Sequence, residues 1–446
     1  MARPEQQLVQ ASIFDAHHPP SPDLIGDCVH CGFCLPTCPT YVLWGEEMDS
    51  PRGRIYLMSM GVEGQAAWND TYVHHFDQCL GCMACVTACP SGVQYHKLIE
   101  ATRAQIERHY PRSLPDKWFR RMLFALFPYP NRLRVLAAPL WVYQASGLRR
   151  LVQRSGVLDR LPARLKSLEA LLPPVSLGAF RSPVPRSTPA QGPRRRRVGL
   201  LLGCVQRVFF PEVNAATARV LAAEGCEVIA PPEQSCCGAL MVHAGQERAA
   251  LELARRTIDV FERAAVDTVV INAAGCGSSV KEYDWLLRDD LAYAERARAF
   301  VARCKDISEV LAELEPRAAR HPLKVRVAYH DACHLQHAQQ VKVQPRRALQ
   351  TIPGLELLEI PEAAICCGSA GIYNLTEPEP AQELGDRKVQ NILSTSADAL
   401  VSSNPGCLLQ ISSGLRRARH AMPVLHMVEL IDASIRGVMP TVLQRH

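Results

Sequence analysis

Two cysteine runs in the first quarter of the chain constrain its fold more than any other feature. Residues 28–39 read CVHCGFCLPTCP and residues 79–90 read CLGCMACVTACP, so both runs have the spacing C-x2-C-x2-C-x3-C-P. Three thiolates two residues apart can surround one corner of a cubic iron–sulfur cluster. The fourth cysteine of each run precedes a proline that turns the chain away, so that cysteine can reach the cluster of the other run.

This spacing is that of ferredoxins with two clusters, and it predicts two [4Fe–4S] clusters with crossed ligands. The first predicted ligand set is Cys28, Cys31, Cys34 and Cys89, and the second is Cys79, Cys82, Cys85 and Cys38. Zinc is the alternative metal, but zinc sites use pairs of C-x2-C and need no third cysteine at that spacing. The runs therefore favour iron–sulfur clusters over zinc.

The composition is that of a globular protein with reduced thiols. Of 446 residues, 48% are apolar, 21% are charged and 18 are cysteines, and this length predicts about three domains. The segment Met1 to Gln10 lacks the apolar core of a signal peptide, and no uncharged stretch is long enough to span a membrane. We therefore expect a cytoplasmic chain whose cysteines serve metal or redox chemistry rather than disulfides.

Eight of the other ten cysteines form an internal duplication. A single cysteine, a Cys-Cys-Gly and a Gly-Cys occur twice in that order, and corresponding cysteines are 129 to 131 residues apart. The first quartet is Cys204, Cys236, Cys237 and Cys276, and the second quartet is Cys333, Cys366, Cys367 and Cys407. Cys226 and Cys304 have no counterpart and are expected to be ordinary buried thiols.

Each repeat has the pattern of an α/β domain, with apolar strand segments alternating with helical ones. Single cysteines follow the predicted strands at 197–203, 267–272, 324–329 and 399–403. Loops beyond the carboxyl ends of parallel strands carry ligands, so the four thiols of each quartet can converge. We expect each quartet to bind a further cluster or another metal, or else to serve as a structural or redox-active group of thiols.

Four histidines accompany the quartets. His330, His334 and His337 surround Cys333, and His243 follows the first cysteine pair. Near a metal–thiolate site such histidines can be ligands, hydrogen-bond donors to ligands or proton carriers, and they can equally be ordinary polar groups of a loop. The sequence leaves these alternatives open.

The predicted fold class combines α+β and α/β: a helical two-cluster domain of ferredoxin type, followed by a duplicated α/β cysteine-rich domain. We expect a loose arm at residues 1–20, the two-cluster domain at 21–110, a basic amphipathic helical region at 111–181, a linker at 182–197, and the repeats at 198–320 and 321–446.

The basic region has two interpretations. Residues 116–166 contain 11 Lys or Arg against two Asp, interleaved with aromatic residues, and Pro128, Pro130 and Pro139 are expected to divide the segment into short helices. Cationic helices with aromatic residues can lie on anionic lipid, or they can pack against a partner subunit. Nothing in the sequence resembles a nucleic-acid-binding module, so we expect no nucleic-acid partner.

Several motifs together resemble the iron–sulfur subunit of glycolate oxidase. They are the first cysteine run followed by DSPRGRIY at 49–56, PSGV at 90–93, CCGAL at 236–240 with His243, and CCGSAG at 366–371 with Tyr373-Asn374. The resemblance covers most of residues 21–435. It implies the iron–sulfur electron-transfer subunit of a complex on the cytoplasmic face of the inner membrane, acting as a glycolate dehydrogenase.

The resemblance also implies partners and cofactors. FAD-containing subunits oxidise glycolate to glyoxylate, and this chain passes the electrons to an acceptor such as quinone without turning over alone. The residues themselves also point to a partner that carries the flavin. The chain has neither a G-x-G-x-x-G fingerprint nor a P-loop, so the two-electron cofactor must come from another chain.

The cysteine-rich repeat alone is shared more widely, which leaves alternative functions. Lactate-oxidising complexes, anaerobic glycerol-3-phosphate dehydrogenase and heterodisulfide reductases resemble it, and a thiol–disulfide enzyme or a redox sensor are further candidates. In heterodisulfide reductases the last cysteine of a repeat begins a C-x2-C pair. Here Gly277-Ser278-Ser279 follows Cys276 and Leu408-Leu409-Gln410 follows Cys407, so the fifth ligand is absent from both repeats.

Overall fold

The computed structural model describes residues 11–180, 184–440 and 443. Six helices form the amino-terminal part around the two cysteine runs: α1 (Pro22–Gly26), α2 (Pro39–Trp44), α3 (Pro51–Val62), α4 (Asp70–Asp77), α5 (Ala84–Ala88) and α6 (Tyr95–His109). The fourth cysteine of each run lies at the end of a helix. Cys38 is the N-cap of α2, with Pro39 pre-organised at its first position, and Cys89 is the C-cap of α5.

The basic region is helical. It comprises α7 (Leu114–Leu126), α8 (Pro130–Ala145), α9 (Leu148–Arg154) and α10 (Ala163–Ala170), with 3-10 turns at Val157–Arg160 and Leu177–Phe180. The expected break at Pro139 is wrong, because α8 continues through it. A proline removes the hydrogen bond to the carbonyl four residues earlier, and here that residue is Val135, which is exposed and can be hydrated instead. No helix in the described ranges is both long and apolar enough to cross a bilayer.

The first repeat is built on a five-stranded sheet. Its strands are β1 (Ser187–Thr188), β2 (Arg196–Leu201), β3 (Cys226–Ile229), β4 (Thr268–Ile271) and β5 (Cys304–Asp306), in the order β1-β3-β2-β4-β5, with only β1 antiparallel. Its helices are α11 (Val205–Phe209), α12 (Pro211–Ala223), α13 (Ala239–His243), α14 (Glu247–Arg263), α15 (Ala274–Val280), α16 (Tyr283–Leu286), α17 (Ala294–Val301) and α18 (Ile307–Glu313). The central strands are buried over residues 198–201 and 268–271, which is typical of a parallel sheet covered by helices on both faces.

The second repeat has the same strand order without the antiparallel edge. Its strands are β6 (Val325–His330), β7 (Leu355–Glu359), β8 (Ala399–Ser402) and β9 (Val424–His426), in the order β7-β6-β8-β9 and all parallel. Its helices are α19 (Val343–Gln350), α20 (Tyr373–Thr376), α21 (Pro378–Leu393), α22 (Pro405–Arg417) and α23 (Met427–Arg436), with a π-helical turn at His334–Ala338. The predicted fold class, helical first and then duplicated α/β, is confirmed.

The two repeats pack through equivalent surfaces. Helix α12 of the first repeat lies against α23 of the second, and α18 lies against α19. Arg219 of α12 pairs with Asp432 of α23 at 2.7 Å, and Glu224, just after α12, accepts a hydrogen bond at 2.5 Å from Arg320 in the segment that joins the two sheets. Valines, leucines and isoleucines of both sheets form one continuous buried core. The loops at the carboxyl ends of the strands, which carry the cysteines, therefore lie in one rigid body.

Candidate metal centres

The second cysteine run and Cys38 line one cavity. Its walls include Cys38, Cys79, Cys82 and Cys85 together with Tyr95. Cys38 reaches it because the first run ends at α2, where Pro39 turns the chain. All four thiols are buried, so the fold brings the predicted second ligand set to one buried place.

A buried arginine supplies positive charge beside this cavity. Arg54 is 1% exposed, and it donates to Thr40 Oγ1, to Asp49 Oδ1 at 3.2 Å and to the carbonyl oxygen of His75 at 2.5 Å. Burial alone would raise the pKa of the Cys79 thiol, but the charges of Arg54 and Arg103 outweigh burial and hold that pKa below its usual value. The cavity therefore favours a thiolate.

The first ligand set lies nearer the surface. Cys31 is exposed, whereas Cys28, Cys34 and Cys89 are partly buried and pack against the same apolar cluster as Cys79 and Cys85. Burial raises the pKa of the Cys34 thiol to about 11, against hydrogen bonds from the backbone that lower it. The two ligand sets are thus neighbours that share one core.

The first quartet surrounds the end of β2. Cys204 follows this strand, Cys236 and Cys237 precede α13, and Cys276 lies in α15. Hydrogen bonding and repulsion from Cys204 and Cys237 raise the pKa of the Cys236 thiol well above its usual value. Gly238 has a φ of +84°, the left-handed region that favours glycine, and its N–H donates to Cys236 Sγ at 3.4 Å.

The second quartet occupies the equivalent place after β6. The sulfurs of Cys333 and Cys366 are 3.9 Å apart. Donor atoms of His330, Cys367 and Cys407 all lie within 4.8 Å of one another, and all three residues are buried. The structure thus brings together the thiols of the second quartet, and it adds an imidazole that the first quartet lacks.

The other three histidines have different surroundings. His243 Nε2 lies 2.8 Å from His334 Nε2, and His334 Nδ1 lies 3.6 Å from Cys333 Sγ. His337 donates from Nε2 to the carbonyl oxygen of Ala364 and contacts Thr87 Oγ1 through Nδ1 at 2.7 Å. These histidines therefore connect the first repeat and the second cysteine run to the second quartet.

Sequence reasoning missed several functional neighbours of the thiols. Arg54 lies within a motif that the sequence singled out, yet only its burial reveals its role. Lys388 is fully buried in α21, and its ammonium donates to the carbonyl oxygen of Glu362 at 2.7 Å while lying near Cys366 and Cys367. No spacing rule marks a lysine like this. Cys226 and Cys304 are buried, as expected of ordinary thiols.

The donor sets fit iron–sulfur clusters. All 18 cysteines are free thiols, and sixteen of them belong to the four sets of four. Clusters of this kind are held by cysteine thiolates, commonly four to a cluster. Within the residues described, both the cavity of the second run and the two quartets therefore suit a metal–sulfur group.

The fold and these sites define an iron–sulfur protein in which a ferredoxin-type domain precedes two cysteine-rich domains. Residues 27–93 match the model of the 4Fe-4S dicluster domain, and residues 198–281 and 327–412 match that of the cysteine-rich domain. Residues 115–172 match the family described as "Glycolate oxidase iron-sulfur subunit, linker region".

Curated relatives narrow the class to one family. The chain is 41% identical to the probable glycolate oxidase iron-sulfur subunit of Bacillus subtilis over 91% of this chain and 93% of the relative. It is 35% identical to the glycolate oxidase iron-sulfur subunit of Escherichia coli over 97% of this chain and 99% of the relative. The chain belongs to the family of glycolate oxidase iron–sulfur subunits, and the resemblance found in the sequence is confirmed.

A solved structure shares the fold at low sequence identity. The crystal structure of a hypothetical protein from Helicobacter pylori has a TM-score of 0.54 and 10% identity, covering 89% of this chain and 69% of that one. At this identity the likeness concerns the fold alone.

Proposed function

We propose that the chain carries electrons from an FAD-containing partner, which oxidises glycolate to glyoxylate, to quinone. The observation that carries the proposal is the continuity of the thiol sites. Ligands of both ferredoxin-type sets pack in one apolar cluster, and Cys82 shares a second cluster with Cys333 and Cys366. Metal sites that are neighbours in one packed core can pass electrons from one site to the next.

We assign the ligands of two [4Fe–4S] clusters as the sequence predicted them. Cys28, Cys31, Cys34 and Cys89 would hold one cluster, and Cys79, Cys82, Cys85 and Cys38 the other. Bound clusters of this kind accept and release single electrons, whereas oxidation of a hydroxy acid releases two, which is why a flavin partner is needed. The cavity shared by Cys38 and the second run supports the crossed assignment.

A substitution at Cys38 tests this assignment. Cys38→Ala removes a ligand that lies in the first run but lines the second cavity. We expect the cluster of the second run to lose its signal in electron paramagnetic resonance (EPR), while the cluster of the first run remains. Loss of the first cluster alone would show that each run binds its own cluster.

We propose that each quartet holds a further metal–sulfur centre. Four thiols brought together in a reduced protein repel as thiolates and oxidise readily unless something binds them. A fragment of residues 198–446 can be made anaerobically as a first measurement, since it contains none of the ferredoxin-type ligands. Iron and sulfide bound to the folded fragment support the proposal, and a folded, colourless, metal-free fragment refutes it.

The substrate is tested on the complex rather than on this chain. The chain is co-expressed with its flavin partners, and the purified complex is assayed for acceptor reduction with glycolate, lactate or glycerol 3-phosphate. We expect partners that contain FAD to co-purify and glycolate to give the highest kcat/KM. A complex that prefers lactate or glycerol 3-phosphate would support the alternative members of this wider class.

We also propose that the basic helical region attaches the complex to the cytoplasmic face of the membrane. Trp118, Tyr129, Val135, Trp141 and Leu151 are exposed large hydrophobic residues on these helices. Several basic residues between them are exposed too: Lys117, Arg121, Arg132, Arg150, Arg154 and Arg160. Each basic residue close to anionic lipid contributes about 1 kcal/mol, so salt should weaken the attachment.

Flotation with vesicles tests the membrane surface. The full chain is mixed with vesicles of neutral lipid, or of neutral lipid with phosphatidylserine, at low and high salt. We expect binding to the anionic vesicles only, and less binding in Trp118→Ser with Trp141→Ser than in the control Leu291→Ser, which removes an exposed side chain from the first repeat. Equal binding by both variants, or none by the wild type, would make the region a surface for a partner subunit.

A further inference from the structure

The internal duplication allows the two quartets to be compared position by position. Strand β2 pairs with β4, and Leu201 lies opposite Ile271 at the end of that pair. Strand β6 pairs with β8 in the second repeat, and there His330 lies opposite Ser402. Leu201 and His330 each stand three residues before the first cysteine of their quartet. An apolar pair has thus been exchanged for a polar pair at one equivalent place.

The polar pair is buried and oriented toward the thiols. His330 is 2% exposed and Ser402 is fully buried, and His330 Nδ1 lies 2.9 Å from Ser402 Oγ. Because Ser402 engages Nδ1, Nε2 is the nitrogen left for a metal, and a ring nitrogen of His330 lies within 4.8 Å of the sulfurs of Cys367 and Cys407. A histidine that binds a metal nearly always uses its other ring nitrogen in such a contact, which fixes the orientation of the ring.

A burial argument favours a ligand at this place. A buried imidazole and hydroxyl cost free energy of desolvation that the leucine and isoleucine of the first repeat avoid. One hydrogen bond between them satisfies the serine and half of the histidine. The rest of the imidazole faces the thiols: His330 hydrogen-bonds to Cys367, and donor atoms of His330, Cys367 and Cys407 lie within 4.8 Å of one another.

The second quartet also has a buried cationic side chain beside its cysteine pair. Glycines 238 and 368 face the carbonyl oxygens of Ala250 and Ala381, which aligns α14 with α21. In this alignment Lys388, which lies close to Cys366 and Cys367, corresponds to Thr257. A buried ammonium needs a negative partner, and a group of metal-bound thiolates would supply one. The second quartet therefore lies beside a buried positive charge, whereas the first quartet has a neutral threonine at the equivalent position.

We propose that His330 is a metal ligand, so that the second repeat holds a centre of mixed imidazole and thiolate coordination with Cys367 and Cys407, whereas the first repeat offers thiolates only. The inference rests on the proposed function, since it takes the quartets to bind metal–sulfur groups. Exchange of thiolate for imidazole raises the reduction potential of an iron–sulfur centre. The second repeat would then be the better electron acceptor of the two, and it is the one that adjoins the ferredoxin-type domain through Cys82.

The test uses the full chain and a variant that copies the first repeat. His330→Leu with Ser402→Ile recreates the pair that the first repeat already accommodates, so folding is expected to be retained. The control is His337→Val, which removes a nearby imidazole and installs the residue found at the equivalent position, Val208. All proteins are labelled with 15N-histidine, reconstituted anaerobically, and studied by pulsed EPR in the oxidised and reduced states and by elemental analysis.

We expect the strong hyperfine coupling of a directly bound 15N imidazole in the wild type and in His337→Val, and its loss in the double variant. A redox-silent metal would appear instead as about one atom fewer per chain in the double variant. The inference is overturned if neither the coupling nor the metal content distinguishes the double variant from the wild type. If the coupling is present while the signals of the ferredoxin-type clusters are missing, the proposed function fails and the inference stands.

Discussion

Arg54 provides a sharp test of how the two cysteine runs are held together. Its guanidinium spans from Thr40 and Asp49, which follow the first run, to the carbonyl of His75, which precedes the second. Thr40 Oγ1 in turn lies 3.3 Å from Cys38 Sγ. Arg54→Met keeps a side chain of similar length but removes the charge and every hydrogen bond, so it should loosen the second cavity.

The expected magnitude follows from the burial of the ion pair. Asp49 is 4% exposed, and without Arg54 its carboxylate keeps the contact with His75, whose Nδ1 lies 3.0 Å away. Removal of one partner of a buried ion pair costs about 3–5 kcal/mol, and the remaining histidine places the expected loss near the lower limit, about 3 kcal/mol. An unfolding entropy of about 2.1 cal/mol/K per residue makes 1 kcal/mol worth about 1 °C for a chain of 446 residues, so the midpoint of cluster loss on heating should fall by roughly 3 °C.

The assay is visible circular dichroism of the clusters during anaerobic heating at one fixed scan rate. Arg52→Met is the matched control, because Arg52 pairs with Glu47 in a half-exposed position where an ion pair contributes less than about 1 kcal/mol. Arg54→Met with Asp49→Asn should recover part of the loss by removing the unpaired charge. Midpoints of Arg54→Met and Arg52→Met within about 1 °C of each other would refute this reasoning.

Three further changes probe the repeats. Glu224→Ala leaves the buried Arg320 without its partner and should cost about 3–5 kcal/mol in the free energy of unfolding, and a loss below 1 kcal/mol in a denaturant titration would contradict this. Gly368→Ala should destabilise more than Gly238→Ala, because both have positive φ but only at Gly368 would a Cβ lie 2.4 Å from a backbone carbonyl oxygen; equal thermal midpoints would argue against it. Burial lowers the pKa of His426 to about 4, so its contribution to stability is present above pH 6.5 and is lost as the pH falls toward 4. The stability difference between wild type and His426→Asn should therefore shrink by about 1 kcal/mol between pH 7.5 and 5.5, and a constant difference would contradict the shift.

The ferredoxin-type runs and the duplication could be predicted from the sequence because both are defined by the spacing of residues along the chain. Ligand spacing within a run is a local property, as is the alternation of apolar strands with helices, and both survive in the fold. Pro139 was misjudged because the effect of a proline depends on whether the carbonyl it leaves free can meet water, which the sequence does not state. His330, His334 and His337 form a recognisable group in the sequence, but only the register of β6 against β8 identifies His330 as the one that lies near Cys367 and Cys407.

Charge around the thiols was the least predictable part. Lys388 and Arg54 act on cysteines that are distant along the chain, and nothing in their neighbouring residues distinguishes them from surface cations. Their role depends on burial, which is set by packing among elements far apart in sequence. An ionic group that becomes buried is therefore visible only when the fold is known.

Anaerobic reduction of the complex by glycolate tests the central claim most directly. The complex that we propose this chain to form with flavin partners is mixed with glycolate in the absence of acceptor and frozen for EPR. The account predicts that signals of reduced [4Fe–4S] clusters appear in this chain, and that addition of quinone abolishes them. Reduction of the flavin by glycolate with no reduced cluster signal at any time would contradict the account.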